Sequence, residues 1–133
     1  MRLNLHLLED RLAVCHLPPG DEVPPWATAG PLTSITRTVT ELSVVCPESV
    51  VPDTTRAVTG WRVFQVEGVL DFALTGILAS LAQPLAEAGV SLFALSTYDT
   101  DYVLVQEKDL DKAVKALTAA GHSLTLRNPP RVS

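Results

Sequence analysis

The sequence predicts an α+β protein with antiparallel sheets and helices on one face. Three observations carry that expectation. Runs rich in Val, Leu and aromatic residues at Trp61 to Val66, Ser91 to Ser96, Asp101 to Gln106 and Ser123 to Leu126 have the length and composition of strands. Two longer stretches between them repeat their apolar residues at spacings of three and four, the period of a helix with one buried side. The first half of the chain instead holds short apolar runs broken by prolines, which suits strands and loops. From Gly60 to Leu126 the order is therefore strand, helix, strand, strand, helix, strand.

In the N-terminal part, Leu3 to Leu8 and Arg11 to Leu17 are apolar runs separated by Glu9-Asp10, which predicts a hairpin. Pro18-Pro19-Gly20, Pro24-Pro25 and Gly30-Pro31 exclude a helix of any length between residues 18 and 31, and Trp26 is expected to pin this loop by packing its ring on the sheet. Ser34 to Val39 and Glu41 to Cys46 alternate β-branched and polar positions and predict two more strands joined near Thr40. Pro47 to Thr59 lacks periodicity and is read as a linker. The domain boundary is expected near Thr59, giving an N-terminal half of residues 1–59 and a C-terminal half of residues 60–133.

In the C-terminal half, Gly68 permits a sharp exit from the first strand, and Asp71 stands where a helix N-cap is expected. Leu74, Ile77, Leu78, Leu81 and Leu85 then form a buried stripe that Gly89 ends, while Pro84 removes an amide within it and predicts a kink costing about 3 kcal/mol or more if packing does not compensate. Asp109 is the expected cap of a second helix with Leu110, Ala113, Val114 and Leu117 inward and Gly121 at its end. The tail Asn128 to Ser133 is expected to fray. In Leu92-Phe93-Ala94-Leu95 and Tyr102-Val103-Leu104-Val105 both alternating sets are apolar, so both faces of that sheet are expected to be covered. Two helices cover only one face, which leaves the other to the N-terminal half, a second copy, or both.

Composition narrows the functional classes. The 133 residues are 47% hydrophobic and 19% charged, as in a globular protein, and carry a formal net charge of -5. That field repels phosphate backbones and anionic lipid, which argues against nucleic acid or membrane as a partner. No apolar run reaches the roughly 18 residues of a membrane span, and the first ten residues lack a signal-peptide core, so a cytoplasmic protein is expected. Cys15 and Cys46 sit in apolar runs and are read as small hydrophobes. His6, His16 and His122 show no metal-ligand spacing, and no phosphate-cradling loop or serine elbow is present, so no metal, cofactor or enzymatic activity is expected.

The pieces Gly68-Val69-Leu70-Asp71-Phe72, Thr75-Gly76-Ile77-Leu78, Ser96-Thr97-Tyr98-Asp99-Thr100-Asp101-Tyr102 and Val103-Leu104-Val105, in that βαββαβ order, resemble the ACT domain. The chain is similar to the small bacterial tandem-ACT proteins related to the ACT pairs of aspartate kinases and of the CASTOR arginine sensors. The resemblance implies a ferredoxin-like βαββαβ ACT domain in the C-terminal half, fused to a degenerate, mostly β ACT-like N-terminal half in which a proline-rich segment replaces the expected helix. It also implies regulation, with an amino acid or similar small metabolite held at the seam between ACT units, in a homodimer or acting on a partner enzyme.

The site residues the resemblance implies are Gly68, Val69, Leu70, Asp71, Gly76, Thr97, Tyr98, Asp99, Thr100 and Asp101. An amino acid fits such a place chemically, because its carboxylate suits the amides of a helix N-terminus and its ammonium suits Asp101 or Asp99. Asp71 complicates this, since as a cap it would occupy those amides. Gly76 suggests close approach by a backbone or ligand, or helix packing. Ordinary turn chemistry explains Asp99 and Asp101 without a ligand, and Ser96 and Thr97 equally well end a strand. The competing reading is a module that serves dimerisation or docking and binds no metabolite.

Overall fold

The computed structural model describes residues 1–71 and 73–127; the tail expected to fray, Asn128–Ser133, lies outside the described residues. In chain order the elements are β1 (Asn4–Leu8), β2 (Leu12–Leu17), a 3₁₀ turn (Pro25–Thr28), β3 (Ser34–Arg37), β4 (Leu42–Pro47), a 3₁₀ turn (Glu48–Val50), β5 (Arg56–Val66), α1 (Ile77–Glu87), β6 (Leu92–Ser96), β7 (Asp101–Gln106), a 3₁₀ turn (Glu107–Asp109), α2 (Leu110–Ala119) and β8 (Ser123–Arg127). They sort into two units, residues 10–61 and residues 1–9 with 62–127.

In the unit of residues 10–61, β2 lies between β4 and the first part of β5, and β3 flanks β4, all antiparallel. The two-residue period of a strand puts Ala13 and Cys15 on the same side as Leu42, Val44 and Cys46, where Ala27 of the first 3₁₀ turn joins them in a dry core. Trp26 packs against that core, as its loop required. The proline-laden segment thus acts as a lid of turns over one sheet face. Residues 56–59 are strand rather than linker. Pairing runs from Leu12↔Trp61 to Val14↔Val58, so β5 carries an extra residue, and Gly60 at φ +80 absorbs it as a bulge while its amide donates to Glu48 Oε2 at 2.9 Å.

In the other unit the strand order is β8-β1-β5-β7-β6. β1 pairs antiparallel with β5 (Leu5↔Val66, Leu7↔Phe64) and parallel with β8 (Leu5↔Leu124, Leu7↔Leu126). The hairpin expected between the first two runs is therefore absent: each run pairs with a different stretch of β5. Local chemistry explains why. A two-residue hairpin at Glu9-Asp10 needs left-handed backbone, and among the described residues only glycines have positive φ. Alternation also sets Leu5 and Leu7 on the face of Phe64 and Val66, where all four are buried.

That face meets α1 and α2 through Ile77, Leu81, Leu85, Ala113 and Leu117. Burying a side chain of the size of Leu81 or Leu85 is worth about 1.5–3 kcal/mol each. The opposite face is covered too, with Val63 at 1% and Leu104 at 0% exposure. Both helices end in the double main-chain closure that follows a C-terminal glycine: Val90 and Gly89 donate to the carbonyls of Leu85 and Ala86, and His122 and Gly121 to those of Leu117 and Thr118.

α1 runs through Pro84. Proline has no amide for the Ser80 carbonyl, and His122 replaces it, its Nε2 lying 2.9 Å from that oxygen while its Nδ1 accepts the Leu3 amide at 3.1 Å. An accepting Nδ1 fixes the tautomer with the proton on Nε2.

Candidate functional site

The segment between β5 and α1 differs from its sequence-based reading. α1 begins at Ile77, not just after Asp71; its N-cap is Gly76, at φ +82, and no side chain caps it. Asp71 instead accepts the amide of Ala73 at 2.8 Å, and the Leu74 amide bonds the Asp71 carbonyl at 3.0 Å, closing a turn on itself. The error has a simple cause. Asp followed by apolar residues suits a local turn as well as a cap, and Leu74 carries the helical spacing without joining the helix; it is 52% exposed. Gly76 meets nothing within 4 Å of where a Cβ would lie, so left-handed backbone, rather than close approach, is what requires glycine there.

Facing this segment is the turn between β6 and β7. The Thr97 amide donates to the Thr100 carbonyl at 2.9 Å, and the Thr97 hydroxyl accepts the Thr100 amide at 3.3 Å. Thr100 is 4% exposed, and its hydroxyl donates to the Val66 carbonyl at 2.7 Å, fastening the turn to the end of β5. The Leu70 amide donates to the Asp99 carbonyl at 2.6 Å, fastening it to the loop before α1. These bonds hold the two segments apart at a fixed spacing. Burial, with the Asp99 carboxylate adding to it, pushes the Tyr102 phenol above its ordinary range.

Between them lies a pocket of about 340 Å³ lined by Leu70, Asp71, Leu74, Gly76, Ile77, Leu78 and the run Ser96 to Asp101. Of the residues singled out from sequence, the pocket brings together Leu70, Asp71, Gly76, Thr97, Tyr98, Asp99, Thr100 and Asp101, and it leaves Gly68 and Val69 outside its lining. Gly68 turns the chain at φ +91, and Val69 is 76% exposed. Leu74, Ile77, Leu78 and Ser96 line it as well. Sequence reasoning gave the first three to the helix core and Ser96 to a strand end; no spacing distinguishes a leucine facing a pocket from one facing a core.

The lining combines polar and apolar residues, and its charge is of one sign. Asp71, Asp99 and Asp101 contribute three carboxylates, and no Lys, Arg or His lines it. The opposing element is the start of α1, where the first amides of a helix have no intrahelical acceptor and carry the positive end of its dipole. A volume at the low end of the range for small-molecule sites suits a metabolite rather than a macromolecule. Among the described residues no group of three or more His, Cys, Asp or Glu side chains is placed to hold a metal ion.

A ferredoxin-like sheet with a metabolite-sized pocket at the first helix defines a small α+β domain of the regulatory kind. The chain carries a domain of the ACT family: the model of the ACT domain matches residues 56–119, and a second model, of an N-terminal domain, matches residues 10–54. A solved protein of Agrobacterium tumefaciens is 37% identical, with a TM-score of 0.91 over 100% of this chain and 99% of that one. The regulatory subunit of aspartate kinase from Thermus thermophilus shares the fold, with a TM-score of 0.57 at 11% identity over 90% of this chain and 94% of that one. The human protein named cytosolic arginine sensor for mTORC1 subunit 1 is 48% identical over 44 residues, which is 33% of this chain and 13% of that protein.

Proposed function

We propose that this chain is a regulatory protein that binds an amino acid, or a similar small metabolite, in the pocket at the start of α1, and that it works without catalysis in the cytoplasm as a homodimer or on a partner enzyme. The observation that carries the reading is the pairing, across about 340 Å³, of an uncapped helix N-terminus with Asp71, Asp99 and Asp101. A ligand carboxylate suits the helix amides and an α-ammonium suits Asp101. Because Asp71 is engaged in its own turn, it does not compete for those amides.

The excess of carboxylate over any cation in the lining favours a ligand with a second positive charge. The name of the human relative, an arginine sensor, adds support for arginine as the first ligand to test. No helix among the described residues is long and apolar enough to cross a membrane, which agrees with a protein that samples dissolved metabolites.

A calorimetric panel of the proteinogenic amino acids tests the proposal, with basic amino acids expected to bind and silence from all of them at millimolar concentration counting against it. Asp101→Asn is expected to weaken binding by about tenfold to a hundredfold, since a hydrogen bond to a charged group is worth about 1.5–3 kcal/mol, while leaving the melting temperature nearly unchanged. An unaltered affinity removes Asp101 from the site.

A further inference from the structure

The sheet of residues 10–61 packs its two faces differently. Cys15, Leu42, Val44 and Ala57 turn into the core with Ala27 and Val50 of the two 3₁₀ turns, and the two-residue period of the strands sends Val14, His16, Ser43, Arg56 and Val58 to the opposite side. A cavity of about 370 Å³ lies there, its lining including Val14, His16, Glu41, Ser43, Arg56 and Val58. It falls wholly within one unit and shares no residue with the pocket at the start of α1.

Register orders the lining into two rows. His16 stands directly opposite Ser43 on β4 and Arg56 on β5, so a hydroxyl, an imidazole and a guanidinium run across three adjacent strands, each about 4.8 Å from the next. Two residues back along β2, Val14 stands opposite Val58, which sets an apolar row beside the polar one. Glu41 precedes Ser43 by two residues, on the side of the polar row away from the valines and two strands away from Arg56. Among the described residues no hydrogen bond or ion pair engages the side chains of His16, Ser43 or Arg56. Opposite charges directly across strands stabilise a sheet face, yet here Arg56 faces a histidine and the acid stands at the far corner. The row has donors and lacks an acceptor.

The acceptor that fits is a single carboxylate. Arg56 offers a planar fork for bidentate pairing, with the His16 ring and the Ser43 hydroxyl beside it. One arginine against one glutamate leaves no surplus positive charge to hold a dianion, which disfavours phosphate and dicarboxylates. The valine row suits a short aliphatic chain, and Val58, at 56% exposure, has apolar area to bury.

We infer that this sheet face is a ligand site in its own right, which takes a small aliphatic monocarboxylate with its carboxylate on Arg56, His16 and Ser43 and its chain over Val14 and Val58. The assignment is independent of the amino-acid reading, whose site lies on other residues.

Backbone amide NMR of the full chain, titrated with sodium isovalerate at constant ionic strength, tests it. Saturable shifts are expected in residues 14–16, 41–43 and 56–58, with a dissociation constant on the order of millimolar for so small a ligand. Sodium chloride, inorganic phosphate and succinate are expected to leave those amides in place. Arg56 is exposed, so Arg56→Gln is expected to keep the far-UV circular dichroism spectrum while weakening isovalerate by about tenfold or more. Val58→Ser is expected to weaken isovalerate by about threefold to tenfold and to leave acetate binding unchanged. No saturable shift in these residues at about ten times the expected dissociation constant, equal shifts from phosphate or succinate, or wild-type affinity in Arg56→Gln overturns the assignment. The amino-acid reading is read out on Leu70 to Leu78 and Ser96 to Asp101, so failure of either site is seen without the other.

Discussion

His122 bonds two main-chain groups, the Ser80 carbonyl that Pro84 leaves without an amide one turn on and the amide of Leu3. Removing the ring leaves two poorly solvated polar groups, each costing about 1–3 kcal/mol, so His122→Ala is expected to lower stability in urea unfolding by about 2–5 kcal/mol. The penalty is coupled to the proline. Pro84→Ala supplies an amide for Ser80, and in that background His122→Ala is expected to cost about 1 kcal/mol less. Strict additivity of the two substitutions contradicts the account. Sequence showed Pro84 as an irregularity and His122 as one of three scattered histidines; their pairing, 38 residues apart, required the fold.

The two cysteines make a second residue-scale argument. Cys15 and Cys46 are buried in one apolar core and share a thiol–thiol hydrogen bond. Burial raises both, and together with the neighbouring thiol it pushes Cys46 up to about 12. A group raised on folding stays neutral in the native state while the unfolded chain ionises, so its contribution is complete below pH 9 and is lost as pH rises towards 12. From Cys46 alone, stability is expected to fall between those limits by about 1.4 kcal/mol per pH unit. Cys46→Ser should flatten that slope; an identical slope in the variant would refute it.

At the scale of the element, the start of α1 lines the pocket and is also where the sequence misled most. The leucine spacing located the helix body and Gly89 its end, because side-chain burial and C-terminal closure leave direct marks in sequence. The start is set by backbone conformation at Gly76, which no periodicity records, and Asp71 offered a false cap. Gly76→Ala meets no steric obstacle but must hold alanine at φ +82, and is expected to cost about 1–2 kcal/mol in thermal unfolding. A stabilised variant would show that the left-handed cap does not define the helix start.

At the scale of the whole molecule, the C-terminal ACT fold was legible because its helices and strands alternate with distinct periods, and the pocket's hairpin was legible because Asp and Thr cluster where strands turn. The placement of β1 was not. Its alternation specifies a strand with one buried face, and that requirement is met equally beside β2 or between β5 and β8; only long-range packing with Phe64 and Val66 decides. The pocket's apolar wall was hidden for a related reason, since Ile77 and Leu78 satisfy the same stripe that builds the core.

Backbone amide NMR during titration with L-arginine and the other proteinogenic amino acids tests the central claim most directly. Saturable shifts concentrated in Leu70 to Leu78 and Ser96 to Asp101, abolished or weakened by Asp101→Asn, are the predicted result. Spectra that do not move with any amino acid at millimolar concentration, or that move only in residues 10–61, would contradict it.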